Sequence, residues 1–235
     1  MKIDVYFRHN DVNPDDLHNS HVIVIDVLRA TSVIVTALNN GAKLVQTVAK
    51  IEQAFEIKRN NPSALLAGER DAVKIQGFDF GNSPLEMTRE NIGDTDLVMC
   101  TSNGTQAVAV AVQAKSIRAA AFVNMEAVVR DLLRLKEDFI IICSGTNGNF
   151  SLDDGLAAGM LINRIKQEQE VQAIDSGLAM ALGVSGDHIL LEESLKDCYH
   201  LNLLQKRGFQ NDVDYCLSID IIDVVPKYVN GKFIL

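Results

Sequence analysis

Short, uninterrupted apolar runs alternate along the chain with longer segments rich in alanine, valine and leucine. Apolar runs bounded by polar turn residues are typical of strands buried in a parallel sheet, and the longer segments are typical of helices. The predicted strands are residues 2–7, 21–26, 43–47, 64–67, 97–100, 116–120 and 139–143, and the predicted helices are 30–40, 51–59, 106–114, 125–135 and 150–166. This alternation predicts an α/β fold with a layered, largely parallel central sheet and flanking helices.

The pattern changes after Glu168. Residues 173–182, 188–195 and 199–207 are predicted as helices separated by turns, and residues 215–235 are predicted to hold the strands of a hairpin around an Asn-Gly turn. We therefore expect a smaller, mainly helical C-terminal part. The predicted division is an α/β phosphate-binding region over residues 1–168 and a helical and hairpin region over residues 169–235 that completes the same protein.

Residues 97–112 read LVMCTSNGTQAVAVAV, which predicts a buried strand, a small polar loop and a helix. At the start of a helix the unpaired backbone N–H groups and the helix dipole favour an anion, and hydroxyl or amide side chains add donors. The loop residues Thr101, Ser102, Asn103, Gly104 and Thr105 could form such an anion site. The same residue types are also preferred helix caps, so this segment alone leaves both interpretations open.

Polar residues also follow several of the other predicted strands. The groups are Asp26 with Arg29 and Thr31; Gly68, Glu69 and Arg70; Asn82, Ser83 and Glu86; and residues 144–149 followed by Asp153 and Asp154. Ligands of parallel sheets bind outside the carboxyl ends of strands, so we expect these groups and the 101–105 loop to face one cleft. Arginines and loop N–H groups suit a phosphate or a sulfonate, and carboxylates suit Mg²⁺. Metal-assisted hydrolysis of a phosphate ester would use both sets of groups.

Residues 68–86, GERDAVKIQGFDFGNSPLE, are predicted as a long irregular loop. A long loop inside a compact domain is usually functional or disordered, and the apolar residues of this one favour an ordered loop over the site. Each candidate residue also has a purely structural interpretation. Asp26 could cap the following helix, Arg29 and Arg70 could pair with surface acids, and Asp153 and Asp154 could complement a helix dipole.

Composition excludes several classes of protein. The 235 residues carry 22 Lys and Arg against 31 Asp and Glu, a net charge of −9 without a basic run, so nucleic acid is not an expected partner. The four cysteines lack metal-ligand spacing, the five histidines form no zinc motif, and only His9 lies near a predicted strand end. P-loop and dinucleotide-binding glycine patterns are absent. Without a signal-like or membrane-spanning apolar stretch, we expect a cytoplasmic protein with no membrane partner.

Several blocks of sequence carry a family resemblance. VIDVLRATSVIVTAL (residues 24–38), the 68–86 block, CTSNGTQA (residues 100–107) and CSGTNGNFSLDDGLAAG (residues 143–159) resemble the 2-phosphosulfolactate phosphatase family. The resemblance implies Mg²⁺-dependent hydrolysis of 2-phospho-3-sulfolactate to sulfolactate and phosphate, a step toward coenzyme M. Departures from the family pattern are Ser32 and Ser102, where threonine is expected, Asp71-Ala72, where glycines are expected, and Asp153, where glutamate is expected.

The resemblance also implies roles for individual residues. Asp26 and Asp154 would hold Mg²⁺, with Glu69 as a third ligand or as the base that orients the attacking water. Thr101, Ser102, Asn103, Gly104 and Thr105 would bind the phosphoryl group. Arg29, as a catalytic residue, and Arg70, as a substrate-binding residue, would stabilise charge developing on the phosphoryl oxygens or bind the sulfonate and carboxylate. Asn82 and Ser83 would position the substrate. Phosphoryl transfer rests mainly on positioning and electrostatics, so no covalent nucleophile is required, although Asp26 would be the candidate.

A second interpretation is a non-catalytic binding protein for an anionic metabolite. Release of phosphate from a phosphate ester, measured with and without Mg²⁺, distinguishes it from a phosphatase. The expected partner in either case is a small anionic molecule, and a homodimer is the default expectation for assembly.

Overall fold

The computed structural model describes residues 1–173, residue 177 and residues 188–235. Over these residues the chain forms an α/β fold built on an eleven-stranded, largely parallel sheet, which confirms the predicted fold class. Of the predicted helix 173–182, Ala173 ends a short strand, and nearly all of the rest lies outside the described residues. None of the helices in the described ranges is long and apolar enough to cross a membrane.

One block of the sheet is parallel and centred on β2. Its strands are β1 (Lys2–Tyr6), β2 (His21–Ile25), β7 (Ser116–Ala120), β8 (Phe139–Cys143) and β9 (Gln172–Ala173), in the order β7-β2-β8-β1-β9. All five residues of β2 are buried, as its apolar sequence predicts. Val22 and Val24 pack into one core cluster and Ile23 and Ile25 into another, because alternate side chains of a strand point to opposite faces.

A second parallel block contains β3 (Leu44–Thr47), β6 (Asp96–Cys100) and β4 (Leu65–Arg70), with the two-residue β5 (Val73–Lys74) antiparallel at its edge. The prediction of an irregular loop over residues 68–86 is partly wrong. β4 continues through Gly68 to Arg70, where it pairs with β5. Gly68 permits this continuation: a Cβ there would lie 2.0 Å from the carbonyl oxygen of Cys100 on the neighbouring strand. The rest of the segment packs against β4, where the backbone N–H of Phe80 donates a hydrogen bond to the carbonyl oxygen of Leu66 at 3.0 Å.

A C-terminal hairpin joins the two blocks. Its strands, β10 (Lys227–Val229) and β11 (Lys232–Ile234), flank the predicted Asn-Gly turn; β10 pairs antiparallel with β7 and β11 pairs antiparallel with β3. Three successive antiparallel pairings therefore separate β3 from β7. The two parallel blocks consequently run in opposite senses along the sheet.

Helices cover both faces of the sheet. They are α1 (Ala30–Asn39), α2 (Ile51–Asn60), α3 (Arg89–Ile92), α4 (Gly104–Val110), α5 (Met125–Leu135), α6 (Leu152–Glu168), α7 (His188–Leu195), α8 (Tyr199–Lys206) and α9 (Gln210–Cys216). α7 and α8 confirm the helices predicted at 188–195 and 199–207. α9 was not predicted, and only its last two residues overlap the segment predicted as hairpin. Its buried Val213 and Cys216 pack into the same core cluster as α5 and α6.

Candidate active site

One cleft collects residues from both blocks of the sheet and from the C-terminal helices. Seven of the predicted site residues line it: Asp26, Arg29, Glu69, Asn82, Thr101, Ser102 and Asn103. Five do not: Arg70, Ser83, Gly104, Thr105 and Asp154. The remaining lining residues include Asp71, Ala72, Thr146, Asn147, His200 and Arg207.

The predicted reason for this convergence is wrong. The blocks that carry β2 and β6 run in opposite senses, so their strands do not all end at one edge of the sheet. A shared edge is therefore not what brings the loops together. The start of α4 instead packs directly against the end of β2, where a Cβ on Gly104 would lie 2.6 Å from Oδ2 of Asp26. The adjacent Asn103 accepts a hydrogen bond from the backbone N–H of Asn147 at 3.2 Å, which joins the loops after β6 and β8.

Asp26 lies immediately after β2 with 5% of its surface exposed. Its Oδ1 accepts a hydrogen bond from the backbone N–H of Ala30 at 3.1 Å, so it caps α1 as well as reaching the cleft. Burial raises its pKa from 3.8 to about 6, against the lowering effects of the nearby His200 charge and of the Ala30 hydrogen bond. A buried carboxylate with this pKa, in a cleft, is a functional-site candidate on physical grounds.

Asp154 lies behind the cleft. Its carboxylate accepts hydrogen bonds from the backbone N–H of Val27 at 2.9 Å, the hydroxyl of Ser144 at 3.0 Å and the backbone N–H of Gly145 at 3.1 Å. Burial, together with the negative charges of Asp153 and Asp26, raises its pKa well above the usual range. Asp154 thus ties the loop after β2 to the loop after β8, and its geometry is that of a residue that positions these loops.

Glu69 lines the cleft and holds two of its loops in position. One of its oxygens accepts a hydrogen bond from the backbone N–H of Ser102 and the other from that of Ala72, each at 2.8 Å. The hydroxyl of Ser102 donates to the same carboxylate at 3.3 Å. Asp71 and Ala72 adopt left-handed backbone conformations with φ of 53° and 62°. Glycine adopts these conformations without strain, which gives a physical reason for the glycines expected here from the family resemblance.

The loop after β6 caps α4 and also lines the cleft. Thr101 and Thr105 cap α4 reciprocally: the backbone N–H of Thr105 donates to Oγ1 of Thr101 at 3.1 Å, and that of Thr101 donates to Oγ1 of Thr105 at 3.3 Å. Ser102 and Asn103 line the cleft together with Thr101. The cap therefore holds the neutral polar side chains of the loop in place around the cleft.

The two predicted arginines occupy different environments. Arg29 is buried, forms an ion pair with Asp212, and has the ring of Phe209 stacked on it with 4.2 Å from its Cζ atom to the ring centroid. The guanidinium of Arg70 donates to the carbonyl oxygens of Glu69 and Ala49 and to the sulfur of Cys100. Arg70 thus lies outside the cleft, and its geometry does not match the predicted binding of an anionic group.

Ser83 also serves the buried ion pair and not the cleft. Its hydroxyl donates a hydrogen bond to Oδ1 of Asp212 at 2.8 Å. Asn82, by contrast, lines the cleft, and its Oδ1 atom is buried without a hydrogen-bond partner in the described part of the chain. An unpaired buried carbonyl oxygen is costly, so this atom is ready to accept a hydrogen bond from a ligand or to bind a cation.

The C-terminal part supplies a wall of the cleft that sequence reasoning missed. His200, Leu203, Leu204 and Arg207 lie at the spacing of one helix face, along α8 and its C-terminal cap. That spacing alone is indistinguishable from an ordinary amphipathic helix. Arg207 is exposed, and its guanidinium has no hydrogen-bond or ion-pair partner among the residues that the structure describes. His9, the histidine singled out from the sequence, instead has Nδ1 2.6 Å from the carbonyl oxygen of Ser144 and does not line the cleft.

The residues present fit a magnesium ion held in part by substrate. Over the described ranges, no group of three His, Cys, Asp or Glu side chains is placed to hold a metal, so Asp26, Glu69 and Asp154 do not form a ligand set by themselves. Mg²⁺ in phosphate-processing sites is bound through one or two protein oxygens, several waters and the substrate phosphate. The Asp26 carboxylate and the unpartnered Asn82 oxygen match that requirement.

Comparison with known proteins gives one consistent result. The model of the family "2-phosphosulpholactate phosphatase" matches residues 6–231. A protein of Clostridium novyi is 42% identical over 97% of both chains, and one of Clostridium beijerinckii is 38% identical over 99% of this chain and 98% of its own. A protein of Caldanaerobacter subterraneus is 39% identical over 98% of this chain and 97% of its own. All three carry the name "Probable 2-phosphosulfolactate phosphatase".

Proposed function

Because the chain belongs to the 2-phosphosulfolactate phosphatase family and is thus a phosphoric monoester hydrolase, we propose that it hydrolyses 2-phospho-3-sulfolactate to sulfolactate and phosphate with Mg²⁺. We further propose that the sulfolactate is a precursor of coenzyme M, the route in which the family resemblance puts this reaction. The observation that carries the proposal is the meeting, in one cleft, of Asp26, the 101–103 loop and Arg207.

The proposed substrate carries a phosphate, a sulfonate and a carboxylate, so its recognition requires donors of more than one kind. Thr101, Ser102 and Asn103 supply hydroxyl and amide groups at one end of the cleft and would bind the phosphoryl oxygens. Arg207, whose guanidinium is unpaired among the described residues, would bind the carboxylate or the sulfonate. Arg29 contributes a positive charge that Asp212 largely neutralises.

Asp26 and Asn82 are the proposed protein ligands of Mg²⁺. When bound, the ion would neutralise charge on the phosphoryl oxygens. Glu69 holds Ser102 and the Asp71-Ala72 segment in position through its hydrogen bonds, so we assign it to the architecture of the cleft in place of metal binding. Asp154 has the corresponding task on the other side, where it holds the loops after β2 and β8.

Phosphate release from 2-phospho-3-sulfolactate tests the proposal. The protein should release phosphate with Mg²⁺ present, lose that activity when the ion is chelated, and regain it on readdition. Asp26→Asn should abolish release while the protein stays folded, and Asp223→Asn, at an exposed carboxylate outside the cleft, should not change it. Tight binding of the substrate without any phosphate release would instead establish the alternative, a non-catalytic binding protein for an anionic metabolite.

A further inference from the structure

Helix α8 places a histidine in the cleft, at a position where it can act on the substrate. We infer that His200 donates the proton that the leaving-group oxygen acquires when the phosphate ester is cleaved, an inference that rests on the proposed phosphatase function. His200 lines the same cleft as Asp26 and Ser102, although it lies 174 residues after Asp26 and 98 residues after Ser102.

A chain of hydrogen bonds fixes the orientation of the imidazole. Nδ1 of His200 lies 3.0 Å from Oγ1 of Thr146, which in turn lies 2.9 Å from Oγ of Ser151. The Ser151 hydroxyl donates to Oδ1 of Asp153 at 2.5 Å. Since Ser151 uses its hydrogen on the carboxylate, Thr146 donates to Ser151 and accepts from Nδ1–H of His200. This order leaves Nε2 without a partner among the described residues, on a ring that lines the cleft.

The carboxylate of Asp153 lies beside the imidazole of His200. The Asp153 side chain is fully buried, and its Oδ2 atom has no hydrogen-bond partner within the described ranges. That atom lies 3.8 Å from Nδ1 of His200. Two further groups face this pair: the carboxylate of Asp26, on which the His200 charge acts to lower the pKa, and the thiol of Cys198, 3.7 Å from Oδ1 of Asp153. A buried carboxylate oxygen without a hydrogen bond is unfavourable, and the imidazole lies within ion-pair distance of this oxygen when it carries the proton to be donated.

The chemistry balances with His200 as the donor. As water attacks phosphorus, the bond between phosphorus and the ester oxygen breaks and its electron pair stays on that oxygen. The proton on Nε2 passes to the same oxygen, which gives the free hydroxyl of the product. A proton released from the attacking water returns to the imidazole, so that water and the ester give an alcohol and inorganic phosphate, and the enzyme recovers its initial state.

Comparison of two leaving groups tests this assignment. An alcohol leaving group, as in 2-phospho-3-sulfolactate, needs a proton donor, whereas 4-nitrophenolate leaves readily without one. A positioned acid contributes roughly 10²- to 10⁴-fold to a reaction that requires it. His200→Asn should therefore lower kcat for 2-phospho-3-sulfolactate by at least about 10²-fold, with a much smaller effect on 4-nitrophenyl phosphate. His200→Gln should behave in the same way.

Further variants separate proton donation from a structural role. Thr146→Val and Asp153→Asn act on the orientation and charge of the imidazole, so their smaller losses should also be confined to the alcohol leaving group. His18→Asn, at an exposed histidine outside the cleft, should change neither rate. Circular dichroism and the thermal midpoint confirm that each variant is folded; if His200→Asn does not fold, His200→Gln and Thr146→Val carry the test.

The possible failures are distinguishable. Equal losses on both substrates in the His200 variants, or no loss on either, would overturn the role of His200 and leave the phosphatase function intact. If Asp26→Asn lowers kcat only for 2-phospho-3-sulfolactate and the His200 variants change neither rate, Asp26 and not His200 would be the proton donor. A wild-type protein that releases phosphate from neither substrate would remove the proposed function itself, and this inference with it.

Discussion

Arg29 and Asp212 form an ion pair in the interior of the protein, with only 2% and 6% of their side chains exposed. Arg29 lies at the start of α1, next to the loop that carries Asp26, and Asp212 lies in α9, 183 residues further along the chain. Ser83 donates a second hydrogen bond to the same carboxylate at 2.8 Å. The ion pair therefore fastens the C-terminal helices to the segments that form the cleft.

Breaking this ion pair from one side should strongly destabilise the protein. Asp212→Asn leaves the Arg29 charge buried without its partner, so we expect a loss of about 3–5 kcal/mol in the free energy of unfolding, measured by urea denaturation. The control is Arg130→Ala, which removes an ion pair with Asp223 whose side chains are 46% and 75% exposed and should cost at most about 1 kcal/mol. Equal costs for the two variants would show that the buried pair does not hold the cleft together.

The sequence was sufficient for the local elements and for most of the loops around the cleft. The buried strand that ends at Asp26 and the strand, polar loop and helix around Ser102 can be recognised because apolar periodicity and small polar loops are local properties. Seven of the twelve predicted site residues line the cleft. Thr101 and Thr105 form the predicted cap, and they hold the neighbouring Ser102 and Asn103 at the cleft, so the cap leaves the predicted anion site open to test.

The arrangement of the sheet and the contribution of the C-terminal part could not be predicted in this way. The reversal between the two blocks depends on the two short strands of the hairpin. β10 pairs with β7 at one residue pair, Lys227 with Arg118, and β11 pairs with β3 at one residue pair, Phe233 with Val45. Nothing local in the sequence encodes that choice. The positions of His200 and Arg207 and the turn of Arg70 toward Cys100 likewise depend on tertiary packing between segments that are distant along the chain.

The stability of the protein should depend on pH through Asp26. Its pKa is raised from 3.8 to about 6 on folding, so the native state binds the proton more tightly and ionisation weakens the fold as pH rises through this interval. Asp26→Asn removes that penalty. In metal-free buffer, the variant should gain up to about 3 kcal/mol over the wild type above the folded pKa, since each pKa unit corresponds to roughly 1.4 kcal/mol. The gain should disappear below the unfolded pKa.

Urea denaturation of both proteins across this pH interval is the measurement. Taking the difference between them cancels the contributions of acids that do not interact with Asp26, such as Asp131 and Glu137, whose pKa values are lowered and which act in the opposite direction. A difference that stays constant with pH would contradict the raised pKa of Asp26.

Gly104 should be intolerant of a side chain. A Cβ at this position would lie 2.4 Å from Cβ of Ala30 and 2.6 Å from Oδ2 of Asp26, so Gly104→Ala must push α4 away from the end of β2. A displacement of about 1 Å at a catalytic group can cost about 10²-fold in rate, and we expect a loss of this order in phosphate release. The matched control is Ala109→Ser on the exposed side of the same helix, which should be near normal. Full activity in Gly104→Ala would mean that Asp26 and α4 need not be this close.

Arg207 should determine the preference for substrates with a second anionic group. A hydrogen bond to a charged group contributes about 1.5–3 kcal/mol, so Arg207→Ala should raise the KM for 2-phospho-3-sulfolactate by roughly 10- to 100-fold. The KM for 4-nitrophenyl phosphate, which has only the phosphoryl group, should change little.

Arg207→Lys should give an intermediate KM for 2-phospho-3-sulfolactate, because an ammonium group cannot form the bidentate contact. The control is Lys206→Ala, which removes an adjacent exposed charge outside the cleft. If it raises the KM as much as Arg207→Ala does, general electrostatic attraction, and not a contact by Arg207, determines the preference.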